Sequence, residues 1–334
     1  MPTQTAIPTN TAEPTNRTVT IQNVSGTVEL LVGNQQTRHP PVAGETITVG
    51  TEIRTGTDGQ IVLESDDGTI ALITTNSSFH LTALKGTAAN PLTRFLTTHG
   101  EIFAFQLSGL TLPLGAGFEV ETPDGTMAIH GSSMDVRYLT DDGSENAAIG
   151  TTTLVCLTGI CTAESTNGQT MELKGGQRVE ITTTGITGST MPLTEQDIQA
   201  QTDAMQVVQD AGGETLSIDI SHCNNELGGE TEIAINREYI AITRPGCWAT
   251  PDEALAMKSS VAVSMNVDGA SVSFIGYGPT AECLEDGVVH TGTYNFAALF
   301  VIGPFTPGDH KVETAHVHSN EGFTWAEVCI LHVR

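Results

Sequence analysis

Positive charge is scarce in this chain. Its 334 residues carry 13 Lys and Arg against 39 Asp and Glu, a net charge of −26. A field of that sign repels phosphate backbones and anionic lipid, so nucleic acid and acidic membranes are poor partners. The plain consequence of such charge is solubility; the sharper one is attraction for cations. Aromatic residues supply only 5% of the chain. No apolar run reaches the ~18 residues of a membrane-spanning helix. No charged-then-apolar leader opens the chain, so its start reads as a mature or trimmed terminus. Long helical periodicity is nearly absent. There is no Cys-x-x-Cys pair, no Gly-x-Ser-x-Gly elbow, no phosphate loop and no dinucleotide fingerprint. Those absences argue against zinc fingers, serine hydrolases and nucleotide enzymes.

What the chain does have is β chemistry. Gly is abundant at 35 residues, and Thr, Val and Ile, which suit pleated surfaces, are frequent. The length sets an expectation of about two domains. The cysteines number six: Cys156, Cys161, Cys223, Cys247, Cys283 and Cys329. An even count without zinc spacing reads as disulfides formed in an oxidising compartment. Cys156 and Cys161 flank a short Gly159 segment and are expected to pair across a hairpin mouth. The other four allow three pairings, among which sequence does not choose.

Residues 1–17 form a Thr/Pro/Asn-rich segment with Pro2, Pro8 and Pro14. It cannot bury enough apolar area to offset its ordering entropy, so it reads as a spacer, or alternatively as an arm that pairs with a neighbour's sheet edge. From Thr18 onward, apolar alternation and Asp-Gly turns mark short antiparallel strands. The stretch from Phe118 to Val136 is the clearest. Phe118 and Val120 alternate with Glu119 and Glu121, Pro123 ends the strand, and Asp124-Gly125 turns. Met127 and Ile129 begin a second strand, which Gly131 interrupts as a bulge before Met134 and Val136 resume it. Residues 191–213 break the β pattern: Thr194 with Asp197 forms a capping box, and Ile198, Met205 and Val208 make a thin apolar stripe. One linker helix of about 16 residues is expected there, packed on one side. Residues 214–334 return to strands, about seven, of immunoglobulin-like sandwich size.

The Phe118–Val136 stretch resembles the core of the FecR domain, on Val120, Thr122, Pro123, Ala128, Gly131, Ser132, Met134 and Val136. His130 stands where that family usually has Arg, Ser132 where it has Thr, and Met134 where it has Phe. Further points of likeness are the Ile53-to-Gly59 turn, the Asp67-Gly68-Thr69 hairpin and the Gly176-Gln177 closing turn. The resemblance covers about residues 18–182. It implies a twisted FecR-like roll with solenoid character over 18–190; with the helix and the disulfide-bearing sandwich read above, the chain is expected to be all-β. The resemblance also implies a role in sensing or binding at the cell surface.

Candidate chemistry is thin. His316 and His318 share one face of a strand, with His310 upstream, and with Glu327 they can be drawn as a divalent-metal site. A solvated strand face is the simpler reading. Asp66-Asp67-Gly68 and Asp141-Asp142-Gly143 read as turns rather than calcium loops. Asn16, Asn23 and Asn76 match the short glycan-acceptor pattern. No cofactor is expected. The function expected is a non-enzymatic, extracytoplasmic surface binding or sensing protein, acting through protein partners or self-association. The alternative is a self-assembling fibre or surface-layer subunit. A metal hydrolase using the C-terminal histidines stands behind both.

Overall fold

The computed structural model describes residues 17–33, 38–87, 90–106, 117–129, 133–140, 150–211, 217–219, 239–278, 280–285, 288–303, 305–319 and 323–333. The described strands of the first half are β1 (Val19–Ser25), β2 (Val28–Leu31), β3 (Thr46–Ile47), β4 (Glu52–Thr55), β5 (Gln60–Ser65), β6 (Thr69–Ile73), β7 (Ser78–Thr87) and β8 (Asn90–Gln106). They continue with β9 (Gly117–Thr122), β10 (Gly125–Ile129), β11 (Ser133–Thr140), β12 (Gly150–Thr158), β13 (Ile160–Ser165), β14 (Thr170–Lys174), β15 (Gln177–Thr182) and β16 (Gly185–Pro192). All of them belong to one 16-stranded sheet rolled into two layers.

The two layers share β8, and that strand explains the roll. Its first half pairs with β7 and, in parallel, with β9; its second half pairs with β6 and β11. Gly100 sits at the change, with φ +116°, and a Cβ there would overlap Ser77. Only Gly adopts that backbone without strain. The bend is pinned by Glu101 N–H donating to Ser77 Oγ (3.1 Å) and Ser77 N–H donating to Thr55 Oγ1 (2.9 Å). One layer runs β2-β4-β7-β8-β9-β10-β13-β14, and the other β3-β1-β5-β6-β8-β11-β12-β15-β16. Alternate residues of both layers meet between them, among them Ile21, Ile53, Phe79, Phe95, Ile102, Val120, Met127, Val136, Leu154 and Val179.

The chain between β10 and β11 changes layer. β10 pairs with β9 and β13, whereas β11 pairs with β8 and β12. The single bulged strand expected from Met127 to Val136 is therefore two strands in different layers; His130, Gly131 and Ser132 lie outside the described residues. The Cys156–Cys161 disulfide follows the same logic. β12 and β13 do not pair with each other, so the bridge spans no hairpin mouth; it staples the crossing from one layer to the other, buried in the core.

The second half holds α1 (Glu195–Asp210), β17 (Ser217–Asp219), β18 (Tyr239–Thr243), α2 (Pro251–Lys258), β19 (Val261–Val267) and β20 (Ala270–Ser271). It continues with β21 (Ser273–Tyr277), β22 (Ala281–Glu285), β23 (Val288–Asn295), β24 (Ala298–Ile302), β25 (Gly308–His318) and β26 (Phe323–Val333). Sheets β17-β18-β24-β21 and β20-β19-β25-β26 face each other over Tyr239, Met265, Phe300, Ile302, Val312 and Leu331. β22 and β23 form a separate hairpin, and β17 runs parallel to β18. The described strands thus exceed the seven expected, and the helix α2, capped by Thr250 with Pro251 at its start, went unread in the sequence.

α1 begins where expected, with the Thr194–Asp197 capping box in place. Its buried stripe, Ile198, Ala204, Met205 and Val208, packs with Val62, Leu72, Phe103, Phe105 and Leu157 from the outer face of the β5-β6-β8-β11-β12 layer. The same cluster contains Ile242 and Leu299 from the outer face of the C-terminal sheet. The helix is a layer between two sheets, and Lys258 of α2 clamps it by an ion pair to Glu195 (2.6 Å). The chain is all-β in class: among the described residues 64% are strand and there are two helices.

Candidate functional site

The Thr122-Pro123-Asp124-Gly125 turn joins β9 to β10 and is built as a staple. Thr122 Oγ1 accepts from the backbone N–H of Asp124 (3.2 Å) and of Gly125 (3.3 Å), which closes the turn locally. Asp124 Oδ2 accepts from the N–H (3.0 Å) and the hydroxyl (2.9 Å) of Thr152 on β12, tying one layer to the other. The Thr122 and Thr152 hydroxyls lie 2.8 Å apart, and the Asp124 carbonyl accepts from Thr166 N–H (2.8 Å). Asp124 is fully buried, and burial pushes its carboxyl above the usual carboxylate range despite the Thr152 bonds. Pro123, exposed, supplies the fixed φ that starts the turn. Thr122 thus closes the turn that Pro123 opens. Thr152 is the partner that sequence reasoning missed, since nothing local marks a threonine as the far end of a cross-layer bond.

Beside this turn lies a cleft of about 360 Å³, lined by Leu96, Glu121, Thr126, Glu164, Ser165 and Gly168 among others. Register explains it: Leu96, Glu121, Thr126 and Glu164 are successive partners across β8, β9, β10 and β13 on the outer face. The turns at Gly125 and Gly168 close one end. Glu121 also pairs with Arg94 (3.0 Å), whose other contact is Glu119 (2.6 Å). Further along the same face, Glu52 receives Arg54 (2.6 Å) and Arg38 (2.7 Å). Burial would raise Glu52, but those hydrogen bonds and charges hold it below the usual carboxylate range. The cleft itself presents carboxylates, hydroxyls and turn backbone.

The histidines fall in different places. His310 gives one ring nitrogen to Asp268 (2.7 Å) and the other to the Thr306 carbonyl (2.8 Å). His316 is buried between the sheets with Nε2 3.2 Å from Thr243 Oγ1. The six-residue step from one to the other along extended β25 separates the two by about 20 Å, too far for one ion. The side chains of His318 and Glu327 lie outside the described residues. Among the described residues no group of three or more His, Cys, Asp or Glu side chains is placed to hold a metal.

The aspartates Asp66 and Asp67 face a cation already: Arg17, nearly buried, pairs with both at 2.8 Å. Asp141-Asp142-Gly143 and Asn16 lie outside the described residues. Cys247 is bonded to Cys283 on β22, and Cys329 is also disulfide-bonded, whereas Cys223 lies outside the described residues. Among the described residues no helix is long and apolar enough to cross a membrane.

The family model described as FecR protein matches residues 51–159. No curated protein matches the chain. The match runs from the approach to β4 through β12 and takes in the shared strand, the bend at Gly100, the Thr122–Gly125 staple and the layer crossing: residues 51–159 of this chain are a FecR domain.

Proposed function

We propose that the chain is a non-enzymatic, extracytoplasmic sensing and binding module, and that the outer face of the β4-to-β14 layer is its binding surface. The observation that carries this reading is the cleft beside the Thr122–Gly125 turn. It lies on the solvent-facing side of the FecR domain, opposite the side on which α1 and the C-terminal sandwich stack. The FecR domain supports a sensing role, and the disulfides fit an oxidising compartment. The partner is a protein, met through carboxylates, hydroxyls and turn backbone rather than through an apolar patch.

Thr126→Trp tests it. Thr126 is half-buried in the outer row, so a Trp there fills the cleft without entering the core. Binding of the purified chain to envelope material from its source should weaken about tenfold or more, a change of ~1.4 kcal/mol. Unchanged binding with an intact fold discards the cleft as the binding surface.

Self-association is the second reading. Among the described residues β14 and β16 each pair on one side only, and β16 is exposed along most of its length. Such edges template further strands. A sharp monomer in size-exclusion chromatography at all concentrations removes this reading.

A further inference from the structure

The seat of α1 on the FecR layer contains charges that do not balance. Arg137 projects from β11 and meets three carboxylates. Its Nε donates to Glu101 (2.5 Å), its Nη1 to Asp197 (3.1 Å), and its Nη2 lies against Asp135 as an ion pair out of hydrogen-bond alignment. Asp197, on the first turn of α1, has a second guanidinium from Arg178 on β15 (3.2 Å), plus the N–H and hydroxyl of Thr194 (2.8 and 2.7 Å). Arg178 is in turn shared with Glu180 (2.9 Å). Asp135 has only its third of Arg137.

Asp135 and Asp197 are both wholly inaccessible. One turn along the buried face of α1 from Asp197 stands Gln201, also inaccessible, with neither amide atom hydrogen-bonded among the described residues. The helix therefore brings a carboxylate, not a cation, to bear on a buried carboxylate. Among the described residues the ionisable groups that act on Asp135 are Glu101 from β8, Arg137 from β11 and Asp197 from α1, with Arg178 and Glu180 of β15 joined to them through Asp197. The outward residues of β6 and β12, Leu72 and Val155 in the Asp135 row, are apolar. Four carboxylates thus share two guanidiniums, and the one with least compensation is sealed from water.

We propose that Asp135 carries a proton while α1 is seated on the FecR layer, and that losing it loosens the seat of α1 and of the C-terminal sandwich stacked beyond it. The proton leaves to solvent. No other group changes state. Burial and the Glu101 charge both hold the Asp135 carboxyl well above the usual carboxylate range, in accord with this. The unseated state exposes Asp135 and restores its ordinary acidity. The seated state then binds the proton more tightly, so seating is favoured in acid. It weakens by at most about tenfold per pH unit between the ordinary carboxylate pKa and that of the seated state.

Hydrogen exchange of the full chain tests the latch. Protection of the α1 amides, relative to intrinsic rates, is followed from about pH 5 to about pH 9, the span over which buried carboxyls titrate. In the natural chain protection should fall with rising pH. In Asp135→Asn, which mimics the protonated form, it should stay at the acid level throughout. Glu101→Gln removes a neighbouring negative charge and should move the midpoint to lower pH. If protection in the natural chain does not vary with pH, the proposal is overturned. It is equally overturned if Asp135→Asn keeps the pH dependence, or if Glu101→Gln leaves the midpoint in place.

Discussion

At the scale of single residues, the N-terminal half is held by polar side chains whose partners lie far along the chain. Asp124 reaches Thr152, Arg17 reaches Asp66 and Asp67, and Arg137 reaches Asp197. None of these pairs is visible as a motif, because sequence spacing says nothing of cross-layer neighbours. The His310–Asp268 pair is of the same kind and gives a clean test. The hydrogen bond to Asp268 raises His310 above its ordinary range, against a burial that would lower it. Its contribution is fully present below the unfolded value of about 6.5 and is lost as pH rises through the folded value. Asp268→Asn should therefore move the His310 midpoint downward in an NMR titration. The stability lost should be largest in acid and, with Asp268 half exposed, no more than about 1 kcal/mol. A loss that grows with pH contradicts this account.

At the scale of elements, β8 makes two layers out of one sheet. A 17-residue strand that serves both layers must bend, and Gly100 with its φ of +116° is where it does so. Gly100→Ala places a methyl on Ser77 and forces L-residue strain, so unfolding in denaturant should show a loss of roughly 3 kcal/mol. An Ala variant within about 0.5 kcal/mol of the natural chain would show that the bend is set elsewhere. The helix α1 was legible down to its cap, because Thr194 and Asp197 are local signals. Its role was not. The apolar stripe read as a linker packed on one side, whereas that stripe joins one cluster drawn from two sheets. The α2 helix was missed because eight residues with little amphipathic pattern leave only Thr250 and Pro251 to mark it.

At the scale of the whole molecule, the order is layer, layer, helix, sheet, sheet. What couples the FecR domain to the C-terminal sandwich is the apolar cluster around Ile198, Met205, Phe103, Phe105 and Leu299. Met205→Asp puts a charge into it and should cost about 3 kcal/mol or more of coupling. The two halves should then unfold in separate transitions by calorimetry, with protease cutting between them. A single transition in the variant would mean that the coupling lies outside this cluster.

Period-2 alternation, Asp-Gly turns, the capping box, the even cysteine count and the FecR likeness are all local. They determined the all-β class, the FecR domain and the position of α1 from residues close together in the chain. Only the tertiary structure decided that Met127 and Val136 lie in different layers, that Cys156–Cys161 staples a crossing, and that His310 and His316 stand apart. It alone set Asp135 beneath a helix with too few cations for its carboxylates. Each of those facts depends on which strands become neighbours, and that is settled by the joint burial of many distant side chains rather than by any one stretch of sequence.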